Sequence, residues 1–168
     1  MAKPELDKKL EILTTFIEYT CTILFVVMTL ITFLQVVGRY VFGVSYFWAE
    51  ELARFTMIWI VFLGASVSVG LKAHTRIDFF INLLSPKVRK YIEIFNSLAC
   101  LAFILFVSYN SIDIIRITTR NLSTGLRIPL ALIYIALPVS GILMTVYFLA
   151  QIYFLLKTIP NKEGEASD

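Results

Sequence analysis

Long stretches without any charged residue dominate the chain, and short charged segments separate them. These stretches cover residues 19–37, 55–71, 94–112 and 128–156. A helix that crosses a bilayer needs about 20 predominantly apolar residues. The second stretch is short on its own, but apolar and aromatic residues just before it extend it. The pattern therefore predicts four transmembrane helices, over approximately 16–38, 47–71, 90–113 and 129–156.

The same stretches lack the strict polar and apolar alternation of strands in a membrane β-barrel. Composition supports a lipid environment, because 58% of the residues are hydrophobic and only 16% are charged, against about 25% charged in ordinary globular domains. The predicted fold class is therefore an all-α integral membrane protein with four transmembrane helices. We expect residues 1–168 to form a single membrane domain.

Basic residues divide unequally between the two predicted sides of the membrane. The N-terminal segment, the loop between the second and third helices and the C-terminal tail share one side and hold ten Lys and Arg residues, whereas the other side holds five. The positive-inside rule places the richer side in the cytoplasm. Both termini are thus predicted to be cytoplasmic.

An unusually polar segment, YFWAEELARF at residues 46–55, opens the second predicted helix at its outer end. Its aromatic residues suit the membrane interface, and Ser45 is expected to cap the helix with its hydroxyl. Helical spacing places the charged pair Glu50 and Arg54 on one face with the small residues Gly64 and Ser68. This face also passes through Met57 and Val61. Glu50 precedes Arg54 by four residues, the favourable order for a helical ion pair.

Two interpretations of this face remain open. In the first, it holds the first two helices together, with Gln35 and Arg39 of the first helix facing it and Arg39 contacting Glu50 or Glu51. In the second, the face docks onto a separate protein, because small residues at four-residue spacing allow helices to approach closely in lipid.

Two features of the later helices are also predicted. Asp113 and Arg116 lie three positions apart and are expected to pair on one helical face. Pro138 lies inside the fourth predicted helix and cannot donate to the carbonyl of Tyr134, so a kink or local loosening is expected there.

The sequence has few residues of the types that bind metals or cofactors or carry out catalysis. His74 is the single histidine, which excludes a self-contained haem site with two histidine ligands. Cys21 and Cys100 have no CxxC partner, and phosphate-binding or hydrolase motifs are absent. We therefore predict that the chain is not an enzyme and carries no catalytic residue, cofactor or metal of its own.

Residues 35–78 resemble the small membrane subunit of TRAP (tripartite ATP-independent periplasmic) transporters. The matching elements are Arg39-Tyr40, the run Trp48-Ala49-Glu50-Glu51-Leu52-Ala53-Arg54, Gly64-Ala65, and His74 followed by Asp78. The LRIP and ALPVSG stretches near the fourth helix add coarser support. The strong resemblance covers about a quarter of the chain.

The resemblance implies a multi-pass protein of the bacterial inner membrane that acts as a fixed scaffold. Its expected partners are a large multi-spanning subunit, which carries an organic acid and Na⁺ by an elevator-like movement, and a periplasmic binding protein that delivers the acid. Sialic acids and C4-dicarboxylates are the expected substrate classes, with membrane lipids as surroundings and no nucleic acid. Candidate interface or structural residues are Gln35, Arg39, Tyr40, Trp48, Glu50, Glu51, Arg54, Gly64, Ser68 and His74.

Two alternatives stand beside this interpretation. A carboxylate inside a membrane helix is a functional candidate, and Glu18 is similar in position to the first-helix glutamate of the small multidrug-resistance exporters, which couple drug export to protons. The chain would then be a self-contained exporter. In the other alternative, it anchors an enzyme complex to the membrane.

Overall fold

The structure is a computed structural model and describes residues 3–71 and 86–157. These residues form five α-helices, with one isolated antiparallel bridge between Leu122 and Pro129 as their β pairing. The helices are α1 (Lys3–Val41), α2 (Phe47–Gly70), α3 (Pro86–Thr118), α4 (Ala131–Tyr134) and α5 (Ala136–Lys157).

Within residues 3–71 and 86–157, four segments are long and apolar enough to cross a membrane: Lys8–Val41, Phe47–Gly70, Tyr91–Thr118 and Ala131–Leu155. This confirms the predicted all-α class with four membrane helices. Helices α1 and α3 continue past the predicted spans, because Lys, Glu and Arg are good helix formers wherever the chain leaves the hydrocarbon.

Helices α4 and α5 belong to one span, which is interrupted at Ile135, three residues before Pro138. The amide of Ile135 bonds to the carbonyl of Ala131, and that of Val139 bonds to the carbonyl of Ile135. Hydrogen bonding therefore continues on both sides of the interruption. This local loosening agrees with the prediction from Pro138, which has no amide hydrogen to donate.

The long helices pack as a row in the order α1, α2, α5, α3. The inner pair is more enclosed: 33% of the residues in the spanning windows of α2 and α5 are buried, against 6% in those of α1 and α3. Ile17, Leu63 and Val67 form the core between α1 and α2. A second core cluster joins α2 to α5 through Val69, Tyr147 and Phe148.

Small hydroxyl residues are among the most deeply buried side chains of the described residues. Ser66, Ser111 and Ser140 are almost completely buried, and each donates to a carbonyl of the preceding turn of its own helix. Because the hydroxyl is satisfied within the helix, it can be buried in an apolar contact at little cost. Exposed threonines of α1, such as Thr29 and Thr32, bond their own helix in the same way.

The row has two ends. We call one the loop end, because it carries residues 42–46 and the 119–130 loop between α3 and α4. The other, the N-terminal end, carries the start of α1, the end of α2 and the last turns of α5. Helix α2 begins at Phe47 as predicted, but Tyr46 holds the cap position and makes no side-chain capping bond. The predicted cap by Ser45 is therefore wrong.

Candidate functional site

Glu51 joins α2 to the 119–130 loop. One of its carboxylate oxygens, Oε2, accepts hydrogen bonds from the backbone amides of Gly125 and Leu126, each at 2.8 Å. Only 9% of Glu51 is exposed. Bonds of this kind to a carboxylate are charge-assisted and strong, so they offset the cost of burying the acid. We call this arrangement the Glu51 clasp.

Gly125 makes the clasp possible by having no side chain. A Cβ atom at this position would lie 2.7 Å from Glu51 Oε2 and 3.1 Å from the Cα atom of Trp48. Real Cβ atoms almost never come this close to other atoms. The loop can therefore reach the start of α2 only through a glycine, which lets two backbones approach closely.

The 119–130 loop folds back on itself before it reaches α2. The amide of Ser123 bonds to the carbonyl of Ile128, and the amide of Leu130 bonds to the carbonyl of Asn121, both at 2.9 Å. Arg127 adopts a left-handed backbone conformation, with φ of 54°. These bonds close the base of the loop, so its tip presents the amides of residues 125 and 126 to the carboxylate.

Glu50 has a different environment from its neighbour. It lies 3.6 Å from Arg54, and 67% of its side chain and 64% of that of Arg54 are exposed. This confirms the predicted pair, although exposed pairs contribute little stability. Arg39 is exposed on α1. Its predicted contact with Glu50 or Glu51 is not formed, because Glu50 faces Arg54 along the helix while Glu51 faces the loop.

The face of α2 that carries the charged pair and the small residues points away from the rest of the described chain. We call it the α2 stripe: Glu50, Arg54, Met57, Val61, Gly64 and Ser68. Gly64 is half-buried and the other members are exposed. A Cβ atom at Gly64 would meet nothing within 4 Å. The stripe therefore does not hold α1 and α2 together, which contradicts the first interpretation of this face. Helix α2 packs through other residues, including Phe55, Leu63 and Val67.

An apolar groove continues the stripe. It runs between α2 and α3 across α5, with a volume of about 560 Å³. It exists because α2 and α3 both pack against α5, which separates them in the row. Its lining consists of small and apolar residues, namely Ala65, Ser68, Val69, Ala99, Cys100, Phe103, Ile104 and Met144. Ser68 belongs to both surfaces, so the stripe and the groove form one continuous face.

Three further candidate residues, Gln35, Tyr40 and Trp48, lie towards the loop end. Gln35 is half-buried, and Tyr40 is exposed on α1. Trp48 is partly exposed, and its ring lies 6.2 Å from that of Tyr46 in a tilted arrangement. His74 falls outside the described residues. In the described residues no group of His, Cys, Asp and Glu is arranged to hold a metal ion.

The predicted pair of Asp113 and Arg116 is present, with 3.7 Å between its closest charged atoms.

The hydrogen bonds from Gly125 and Leu126 to Glu51 were not predicted. The one signal in the sequence was Gly125 as a turn residue in the loop, and this signal says nothing about where the turn docks.

Comparison with known proteins gives consistent matches. The family model described as "Tripartite ATP-independent periplasmic transporters, DctQ component" matches residues 28–158. The chain is 32% identical over 143 residues to the sialic acid TRAP transporter permease protein SiaT of Haemophilus influenzae, a match that covers 85% of this chain and 22% of that protein. It is 36% identical over 84 residues to the C4-dicarboxylate TRAP transporter small permease protein DctQ of Vibrio cholerae serotype O1. This match covers 50% of this chain and 36% of that protein.

A third relative is the isethionate TRAP transporter permease protein DctMQ of Oleidesulfovibrio alaskensis. It is 32% identical over 104 residues, which make up 61% of this chain and 16% of that protein. The matched region thus spans less than two fifths of each of these relatives. The matches agree in naming TRAP transporter components, which favours that interpretation over a drug exporter or an enzyme anchor.

Proposed function

We propose that this chain, which belongs to the family of DctQ components of TRAP transporters, is a scaffold subunit. It holds a large transport subunit through the α2 stripe and the groove. It is a multi-pass protein of the bacterial inner membrane and a permease subunit, not an enzyme. The observation that carries the proposal is the exposed face of α2, which has small residues suited to helix packing but on which no helix of residues 3–71 and 86–157 is packed.

The chemistry of this face suits a membrane partner. Small residues allow close approach of a second helix, which is the main source of helix association in lipid. Glu50 and Arg54 at its loop end offer polar contacts. SiaT and DctMQ support a large partner, because in both the matched region belongs to a much longer permease chain.

We propose that the loop end faces the periplasm, because the positive-inside rule places both termini in the cytoplasm. A periplasmic binding protein would then dock near the exposed residues Tyr40, Trp48 and Glu50. A reporter that is active only outside the cytoplasm, fused to the C-terminus, tests the topology. It should be inactive, and strong activity would contradict the assignment.

The transported substrate is proposed to be an organic acid of the sialic acid or C4-dicarboxylate class, in line with the names of two relatives. Uptake would be driven by Na⁺ bound in the large subunit. The role we propose for this chain is support of the large subunit and docking.

Co-purification with the tagged large subunit of the same transporter tests the interface. Gly64→Leu should strongly reduce recovery, because a Cβ atom at this position has open space in the described structure and the larger side chain would fill the space that a partner helix needs. Thr29→Leu is the control, since Thr29 is an exposed residue of α1 whose hydroxyl bonds the carbonyl of Phe25 in its own helix. Wild-type recovery of Gly64→Leu would show that the stripe is not the interface.

A further inference from the structure

Helix α3 carries two asparagines, Asn96 and Asn110, within the uncharged stretch of residues 94–112. Phe103 is at the centre of this stretch, and each asparagine is about 10 Å from it along the helix. The hydrocarbon core of a bilayer extends about 15 Å to either side of its midplane. Both asparagines are exposed on the surface of the described structure. Two exposed amides therefore lie at a depth where the surroundings are apolar.

Both side chains have hydrogen-bonding groups that the described residues leave unused. A side-chain amide has two N–H donors and an acceptor oxygen. Asn110 donates one N–H to the carbonyl of Phe106 in its own helix, at 2.7 Å, and its second N–H and its oxygen remain. Asn96 makes no side-chain hydrogen bond within the described residues. Hydrocarbon offers no partner for such groups, so lipid alone is an unfavourable neighbour for this helix.

The two asparagines lie on the side of α3 that lines the groove. Positions seven apart differ by only about 20° around a helix, so Asn96, Phe103 and Asn110 form one line along α3, which we call the α3 line. Phe103 belongs to the wall of the groove, and Ser68 of the α2 stripe belongs to the wall contributed by α2. The α3 line therefore extends the groove towards both membrane surfaces, with an amide on each side of its apolar centre.

The position of Asn110 keeps it well away from the start of α3. It lies about 36 Å along the helix from Pro86, in the half of α3 that leads to the loop end. The helix that separates α2 from α3 in the row is α5, and its contribution to the groove is the apolar residue Met144. Hydrogen-bond partners for the α3 line must therefore come from a molecule that enters the groove.

We propose that the groove receives one transmembrane helix of the large subunit, and that this helix offers hydrogen-bonding side chains to Asn96 and Asn110. The inference rests on the proposed function, since it assigns a second wall to the same interface. The two amides lie about 21 Å apart, so the partner helix needs polar side chains separated by about 14 residues. Hydrogen bonds of this kind join helices in lipid. An acyl chain would cover Phe103 but would leave both amides without a partner.

Co-purification with the tagged large subunit of the same transporter tests the role of the amides. The double variant Asn96→Leu/Asn110→Leu should lower recovery by about threefold to tenfold, because it removes the hydrogen bonds between the helices. Unfolding of the isolated chain in detergent should be unchanged. Tyr109→Phe is the matched control, since it removes a polar group from an exposed residue of α3 that lies about 120° around the helix from Phe103.

Wild-type or higher recovery of the leucine variant would overturn the proposal, because leucine suits an acyl chain at least as well as asparagine does. Gly64→Leu separates this outcome from failure of the proposed function. Loss of recovery in Gly64→Leu with wild-type recovery of the leucine variant would overturn the α3 line alone. Wild-type recovery of both variants would overturn the proposed interface as well.

Photocrosslinking identifies the occupant directly and does not depend on the folding of the double variant. The photoreactive analogue p-benzoyl-phenylalanine replaces Phe103 in the full-length chain, which is produced together with the tagged large subunit and irradiated in the membrane. A covalent adduct with the large subunit is expected. The same analogue at Leu105, an exposed residue about 160° around the helix, should give no such adduct. An adduct with lipid alone at Phe103 would overturn the proposal and assign the groove to an acyl chain.

Discussion

The two ends of the molecule treat their carboxylates in opposite ways. At the loop end, Glu51 is buried and the chain supplies both of its donors, through the amides of Gly125 and Leu126. At the N-terminal end, Glu11 and Glu18 face a cavity in which no side chain of the described residues pairs with them. A buried carboxylate with two amide donors holds the fold together, whereas an exposed one without a partner among the described residues contributes little to it.

The largest effect is expected from removing the acceptor at the loop end. Glu51→Ala leaves two amides without their acceptor and opens space beneath the loop, so the free energy of unfolding should fall by about 2–4 kcal/mol. Denaturant titration in detergent micelles measures this change. Glu50→Ala is the matched control, because Glu50 is adjacent and exposed. Equal losses in the two variants would show that the clasp contributes nothing special.

A smaller loss is expected from filling the space at the loop tip. Gly125→Ala places a methyl group against Glu51 Oε2 and Trp48, and overpacking of this kind costs about 1–3 kcal/mol. The same titration applies. Gly64→Ala has open space around it and should not destabilise the isolated chain, so a similar loss there would point to a general sensitivity to glycine replacement.

Arg54→Ala should change the stability of the isolated chain by less than about 1 kcal/mol, because its pair with Glu50 is exposed. If the stripe binds a partner, Arg54→Ala should clearly reduce recovery of the complex in co-purification, while the free energy of unfolding of the isolated chain stays nearly unchanged. A loss of 2 kcal/mol or more without the partner would show that Arg54 is a structural residue.

The smallest effect on stability is expected at the N-terminal end. Glu18→Gln should alter unfolding in detergent by no more than about 0.5 kcal/mol, since the carboxylate has no partner to lose in the described structure. The measurement sharpens the contrast with Glu51. A loss as large as that of Glu51→Ala would mean that Glu18 also stabilises the fold.

The membrane spans were predictable because their signal is local. Run length and the absence of charge are enough to place a helix in lipid, and α2 begins at Phe47 as predicted. The row order α1, α2, α5, α3 was not predictable in this way, because apolar faces of similar composition do not specify which helix they meet.

The different environments of Glu50 and Glu51 were also not predictable from the sequence. Glu50 and Glu51 are chemically identical neighbours, yet one faces solvent or lipid headgroups and the other faces a loop 74 positions away. No spacing rule connects Glu51 with Gly125. The hydrogen bond between Thr14 and Tyr147, which are 133 positions apart, presents the same problem. Contacts of this kind follow from packing, which a one-dimensional pattern does not contain.

The distance along the chain between Glu51 and its donors has a consequence for biogenesis. During synthesis α2 emerges well before the 119–130 loop, so the nascent helix carries a carboxylate whose acceptor sites are still unfilled. Until α3 has crossed the membrane, keeping Glu51 at the hydrated boundary avoids the cost of placing an unpaired carboxylate in lipid. The Glu51 clasp can therefore form only after the 119–130 loop has been synthesised, so it belongs to the last contacts that complete the loop end.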